Sequence, residues 1–179
     1  MHSDPFDPRR LDLLRLADSA GMAAGEWPSE LLTRLAEDAP PACDAGVHWS
    51  ARGERRAVPA GAAQTWLHLT ASTLVRLTCQ RCLQPLDEAL TAERSFRFVA
   101  DEAEAERQDE RSEEDVLALP PRGRLDLLPL VEDELILALP LVPRHALCPQ
   151  PLALTDERPP EVPAENPFAA LAALKQGKR

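Results

Sequence analysis

Two pairs of metal-ligating residues stand out by their spacing. Cys79 and Cys82 are separated by two residues in CQRC, and His145 and Cys148 by two residues in HALC. A C-x-x-C turn lets two thiolates reach one metal ion, and an H-x-x-C pair adds an imidazole and a third thiolate at the same reach. Together they predict a closed Cys3His structural zinc site that ties the end of a helix to a hairpin turn. The competing reading is a tightened turn at the first pair and a coincidental second pair. A redox role for Cys79 and Cys82 lacks the βαβ surroundings that such a motif requires. Cys43 has no partner in spacing and reads as a small apolar residue.

Arg81 sits inside the cysteine turn. Its guanidinium either meets an RNA phosphate or a partner's carboxylate, or bonds the carbonyls of its own turn. Glu132, Asp133 and Glu134 are consecutive acids in an otherwise apolar helical stretch. They read as the solvated face of an amphipathic helix, with a contact surface for a basic partner protein as the sharper alternative. No nucleophile or base accompanies them, so paired-carboxylate catalysis is not expected. The chain has seven glycines, none adjacent, and neither a phosphate-binding loop, a nucleophile elbow nor an H-E-x-x-H motif. No catalytic residues and no small-molecule substrate are expected.

These residues need elements to position them. Leu11, Leu14, Leu16 and Ala17 are ambiguous between helix and strand. In WPSELLTRLAED, Ser29 can cap a helix after Pro28, with Leu31, Leu32 and Leu35 as its apolar stripe and Pro40 and Pro41 as its end. Residues 47–51 read as a short strand and Gly53 as a turn. Residues 65–78 carry the strongest β signal, long enough to predict a bend near Ala71 and Ser72. Residues 86–99 return antiparallel, and CQRCLQPL is the turn between. Residues 116–119 predict a strand and 120–123 a turn. Leu128, Val131, Leu135 and Leu139 recur at helical spacing, predicting a helix over residues 125–139 that Pro140 stops.

The 179 residues carry a net charge of −10, and residues 101–115 alone hold nine acids and two arginines. That composition predicts a flexible, solvated acidic loop that packs on nothing. The hydrophobic fraction of 44% suits a globular domain, whereas 4% aromatics and no tyrosine give no basic, aromatic-laced surface for nucleic acid. No apolar run has membrane-spanning length, and the start MHSDPFDPRR resembles neither a secretory signal nor a transit peptide. A cytoplasmic protein with reduced thiols is therefore expected.

Beyond Pro149 the chain is rich in proline and ends in NPFAALAALKQGKR. Asn166 can cap and Pro167 can begin a short helix presenting Phe168, Leu171 and Leu174, followed by Lys175, Lys178 and Arg179. A helix this short needs something to dock on. It either packs on its own domain or serves as a tethered recognition element for a partner groove or rRNA, which is the favoured reading.

Three segments in order resemble the YceD family, the large ribosomal RNA subunit accumulation proteins. They are CQRCLQPL at residues 79–86, GRLDLLPLVEDELILALPLVP at 123–143, and NPFAALAALK at 166–175. The resemblance implies an α+β fold built on a small antiparallel β-sheet. In this chain that means a single domain over residues 1–150 with a packed amphipathic helix, then a flexible, proline-rich C-terminal tail over 151–179. It also implies a non-enzymatic role in the synthesis, processing or stability of 23S rRNA. Large-subunit precursors, as rRNA or ribosomal protein, are then the expected partners, with Arg81, Phe168, Leu171, Leu174 and Lys175 as contact residues. Two alternatives stay open: a small zinc-dependent RNA-processing hydrolase, and a dedicated chaperone of a basic ribosomal protein.

Overall fold

Branched and aromatic residues place the centre of the fold in one long strand, Gln64–Thr78, which pairs along its whole length with Pro85–Val99. The computed structural model describes residues 7–43, 45–59 and 61–149. In chain order its elements are β1 (Leu11–Asp12), α1 (Leu13–Asp18), β2 (Met22–Trp27), α2 (Thr33–Asp38), β3 (Val47–Arg56), β4 (Gln64–Thr78), β5 (Pro85–Val99), α3 (Glu102–Asp109), β6 (Asp115–Ala118), β7 (Arg124–Leu125) and α4 (Leu127–Leu137). Strands β2 to β6 form one five-stranded sheet in sequence order, and β1 pairs with β7 in a separate ribbon. The sheet is antiparallel from β2 to β5, while β6 lies parallel to β5. The α+β class thus holds, with one parallel edge strand. Among the described residues, no helix is long and apolar enough to cross a membrane.

Alternation along the strands sends one set of residues to the helices. Trp49 and Ala51 of β3, Leu67, Leu69, Ala71 and Val75 of β4, and Leu90, Phe96 and Phe98 of β5 join one buried cluster with Leu16 of α1, Leu35 of α2, and Val131 and Leu135 of α4. The bend expected near Ala71 and Ser72 is absent: the β4–β5 register runs from Thr65↔Phe98 to Thr78↔Pro85 without a slip. The pairing of β3 stops at Ser72. There the segment after α2 takes over the edge, with Ala42 N–H donating to the Leu74 carbonyl at 3.0 Å and Arg76 N–H to the Pro40 carbonyl at 2.7 Å. A strand with backbone partners on both sides has no reason to break.

Gly53 is not in a turn. It lies inside β3, where α1 crosses so closely that a Cβ would sit 2.6 Å from Leu16 C and Ala17 N. The glycine serves close backbone approach, which in sequence looks the same as a turn. Ser29 begins only a 3₁₀ turn, Ser29–Leu31, and makes no side-chain cap. The first N–H groups of α2 are met instead by Glu132 of α4, which accepts from Arg34 N–H at 2.7 Å and Leu35 N–H at 3.2 Å.

The acids of α4 are therefore not a solvated face. Glu132 and Glu134 are 6% and 7% exposed. Glu132 also accepts from Arg34 Nε at 2.9 Å, and Glu134 accepts from Arg94 Nε at 3.1 Å. Burial pushes the Glu134 carboxyl above its ordinary value, and Arg94 only partly offsets it. Asp133 is half exposed and pairs with Arg34 Nη1 at 2.6 Å. Asp126 caps α4 by accepting from Leu128 N–H at 3.0 Å.

The expectation of a flexible acidic loop over residues 101–115 also fails. Glu102–Asp109 is α3, capped by Asp101 accepting from Glu104 N–H at 2.9 Å, and Ala105 is buried. Asp101, Glu102 and Glu104 lie at the helix N-terminus, where the dipole favours them. Glu104 meets Arg107 and Gln108 at helical spacing. Arg97, buried in β5, anchors the segment by bonding Gln108 and, at 2.8 Å, Glu114. A high charge count concealed local pairing that a helix can use. Strand β2, MAAGEW, carries no β-branched residue and was not anticipated; its full register with β3 defines it.

Candidate metal centre

The first half of the site is the β4–β5 turn. Cys79 follows the last residue of β4, and its N–H donates to the Gln84 carbonyl at 2.9 Å. Leu83 N–H returns to the Cys79 carbonyl at 2.9 Å, and Leu83 itself is left-handed with φ of 59°. A leucine adopts that conformation at a cost of roughly 1–2 kcal/mol, so the turn is held by something beyond local preference. The second half is the arm after α4. Pro140 stops the helix, and the arm runs back to the turn, where Gln80 N–H donates to the Pro143 carbonyl at 2.9 Å.

The four predicted ligands converge. The ligand atoms of Cys79, Cys82, His145 and Cys148 all lie within 4.8 Å of one another. Cys79 Sγ is 3.8 Å from Cys148 Sγ, and Cys82 Sγ is 3.4 Å from His145 Nδ1. A tetrahedral zinc at ordinary bond lengths sets a thiolate–thiolate edge of about 3.8 Å and a thiolate–imidazole edge of about 3.6 Å. The donor set and both spacings fit that ion.

Neighbouring groups orient the ligands. His145 Nε2 lies 3.0 Å from the Pro85 carbonyl, which requires Nε2 to carry the proton and leaves the Nδ1 lone pair directed at the cluster. His145 N–H donates to Cys79 Sγ at 3.4 Å. Burial pushes the Cys79 thiol up, but the backbone N–H groups of His145, Arg81 and Cys82 outweigh it and bring it down to about 5. Burial raises the Cys82 thiol, with Cys148 and Cys79 beside it. These opposed directions are those of thiols sharing one negative charge, which a cation would relieve.

Arg81 does not bond the carbonyls of its own turn but reaches the opposite arm. Its Nε donates to Cys148 Sγ at 2.9 Å, and its Nη2 donates to the His145 carbonyl at 2.9 Å and the Ala146 carbonyl at 3.4 Å. It thus clamps the opposite arm and supplies positive charge to the thiolates, a role that depends on a contact 67 residues away and has no local signature. The Pro85 carbonyl likewise could not be read from sequence. Cys43 stands apart, exposed and at a positive φ of 56° rather than packed as an apolar residue. Phe168, Leu171, Leu174 and Lys175, with the expected terminal helix, lie outside the described residues.

Comparison with known proteins adds a second line. Residues 67–175, more than half of the chain, match the model of the family described as Large ribosomal RNA subunit accumulation protein YceD. The match includes all four candidate ligands. A Haemophilus influenzae protein named Large ribosomal RNA subunit accumulation protein YceD is 39% identical over 107 residues, covering 57% of this chain and 60% of that protein. The chain thus spans about three-fifths of the length of the relative it matches. No solved structure matches.

Proposed function

The chain belongs to the YceD family, and on that premise we propose that it acts as a non-enzymatic, cytoplasmic factor of large-ribosomal-subunit assembly. In this reading it supports the synthesis, processing or stability of 23S rRNA by binding a large-subunit precursor. The observation that carries it is the match of residues 67–175, which takes in the cysteine turn, α4, the arm and the terminal motif together. Phe168, Leu171, Leu174 and Lys175 would engage the precursor, close to a rigid platform made by the turn and the arm.

One zinc ion held by Cys79, Cys82, His145 and Cys148 is part of the proposal. Bound there, zinc supplies a structural cross-link between the β4–β5 turn and the arm after α4. The hydrolase alternative needs a coordination position open to water. Four protein donors leave none, and no carboxylate belongs to the cluster among the described residues.

The test is a chromosomal deletion analysed by sucrose gradients and rRNA quantification. The expected result is a fall in the 23S to 16S ratio and accumulation of large-subunit precursors, restored by the wild-type chain. Unchanged 23S rRNA, together with no association of the tagged protein with pre-ribosomal particles, would overturn the proposal.

A further inference from the structure

The arm that brings His145 and Cys148 to the cysteine turn carries an unusual amount of exposed apolar surface. Leu141 is fully exposed, Leu147 largely so and Val142 half so; Leu137 at the end of α4 and Leu83 on the facing turn are also exposed to a large extent. The remaining exposed large hydrophobics, Leu14, Met22, Leu31 and Leu74, sit singly on separate elements, as isolated surface apolar residues do. The other five lie at the end of α4 and on the two segments that carry the cluster ligands, which are joined by the Gln80 N–H bond to the Pro143 carbonyl and the Arg81 side-chain bond to the His145 carbonyl. Water-exposed leucines gathered on a braced scaffold mark a surface that something covers.

The position of the remaining chain identifies the occupant. The described residues end at Pro149, next to Cys148, and 18 residues separate Pro149 from Phe168. A coil of that length has an end-to-end distance of about 25 Å, and a proline-extended one reaches further. Phe168, Leu171 and Leu174 recur at helical spacing in the sequence, the pattern of a single apolar stripe. Tethering of this kind corresponds to an effective concentration on the order of millimolar, so even a weak contact is populated.

We propose that the terminal segment 166–175 docks on the apolar rim formed by Leu83, Leu137, Leu141, Val142 and Leu147 in the free protein. The inference rests on the reading of the terminal motif as a recognition element: docking shields that motif until a precursor displaces it. The rim is built only when the metal cluster joins arm to turn, so zinc occupancy and tail docking are coupled.

The experiment uses purified, zinc-loaded full-length protein carrying a photo-crosslinking residue at Leu141, with the same residue at Met22 as a control. Leu141 should capture peptide 166–175 at least about tenfold more than Met22 does, independent of protein concentration, as an intramolecular contact requires. The double variant Leu141→Asp, Leu147→Asp should lose protection of 166–175 from hydrogen exchange while keeping its metal and its circular dichroism. Capture that rises with concentration would place the tail on a second copy and overturn the proposal. Equal capture at both sites, or exchange of 166–175 as fast as in the free peptide, would overturn it too. The rRNA phenotype is read separately, so loss of docking with retained ribosome association leaves the assembly role standing.

Discussion

Removing the zinc proposed for the Cys3His cluster should free the arm without dissolving the sheet. The buried cluster of β3, β4, β5, α1, α2 and α4 includes none of the four ligands. Without a metal, the contacts holding the arm to the turn are mainly the Gln80–Pro143 bond, the His145 Nε2 bond to the Pro85 carbonyl, the Arg81 bonds to the His145 and Ala146 carbonyls, and weak bonds to sulfur. Such bonds contribute about 1 kcal/mol each, too little to fix the exposed arm. An ion bound only by the folded protein at a thousand times its dissociation constant adds about 4 kcal/mol. For a chain of this size that corresponds to about 8–16 °C in Tm. Metal analysis should therefore find one zinc per chain, and a chelator should lower Tm by that range. Trypsin should then cut at Arg144 in the freed arm, while the sheet's far-UV signal persists below the new transition. Cys82→Ser should reproduce the chelated state. Zinc holds its cysteines as thiolates, so protons compete with it and acidification should release the arm as chelation does. Protein purified under reducing conditions that holds no zinc, and whose Tm and cleavage at Arg144 do not respond to added zinc, would refute this reasoning.

Substitutions at three further positions test the architecture. Gly53→Ala forces a methyl group against α1 backbone atoms 2.6 Å away, and should cost about 3 kcal/mol in urea unfolding; a cost near zero would show that α1 can slide. Glu132→Ala leaves the Arg34 and Leu35 N–H groups without their acceptor. It should cost about 2–3 kcal/mol, with the half-exposed Arg34 ion pair contributing little, and Glu132→Gln should recover part of the loss by keeping one acceptor oxygen. Glu134→Gln behaves differently, because burial holds the Glu134 carboxyl above its ordinary 4.5. The folded state therefore binds that proton more tightly, and wild-type stability falls as pH rises from 4.5 through the raised value. The variant should equal or exceed wild type at pH 7, with the difference closing below pH 4.5; a clear destabilisation at pH 7 would show that the Arg94 pair outweighs the burial.

Long-range placement divides what could be read in this sequence from what could not. The strands β4 and β5 and the helix α4 announce themselves because their signals are repeated over many residues, and one misjudged position does not alter the pattern. Gly53, Glu132 and Glu134 are single positions whose meaning depends on a partner far along the chain. The Glu132 bond to Leu35 spans 97 residues and the Glu134 bond to Arg94 spans 40. A buried carboxylate and a solvated one are the same letter. Residues 101–115 fail for a related reason: net charge predicts solvation, yet the cap at Asp101, the pairs at helical spacing and Arg97 beneath them are enough for a helix.

The Cys3His cluster is the exception that explains the rule. Its halves lie 66 residues apart by the His145 to Cys79 bond, further than the Glu134 pair, yet the sequence paired them correctly. Two ligands spaced by two residues form a local pattern in each half, and a tetrahedral site needs two such halves, so chemistry supplies the long-range rule that a lone glutamate lacks. What the spacing could not supply is the path between them. That path is α4: Glu132 fixes the helix against α2, Glu134 against β5, and Pro140 ends it where the chain must turn back to the hairpin. The acids that looked like surface therefore position the site, and a variant that loosens α4 at Glu132 should weaken zinc retention although it touches no ligand.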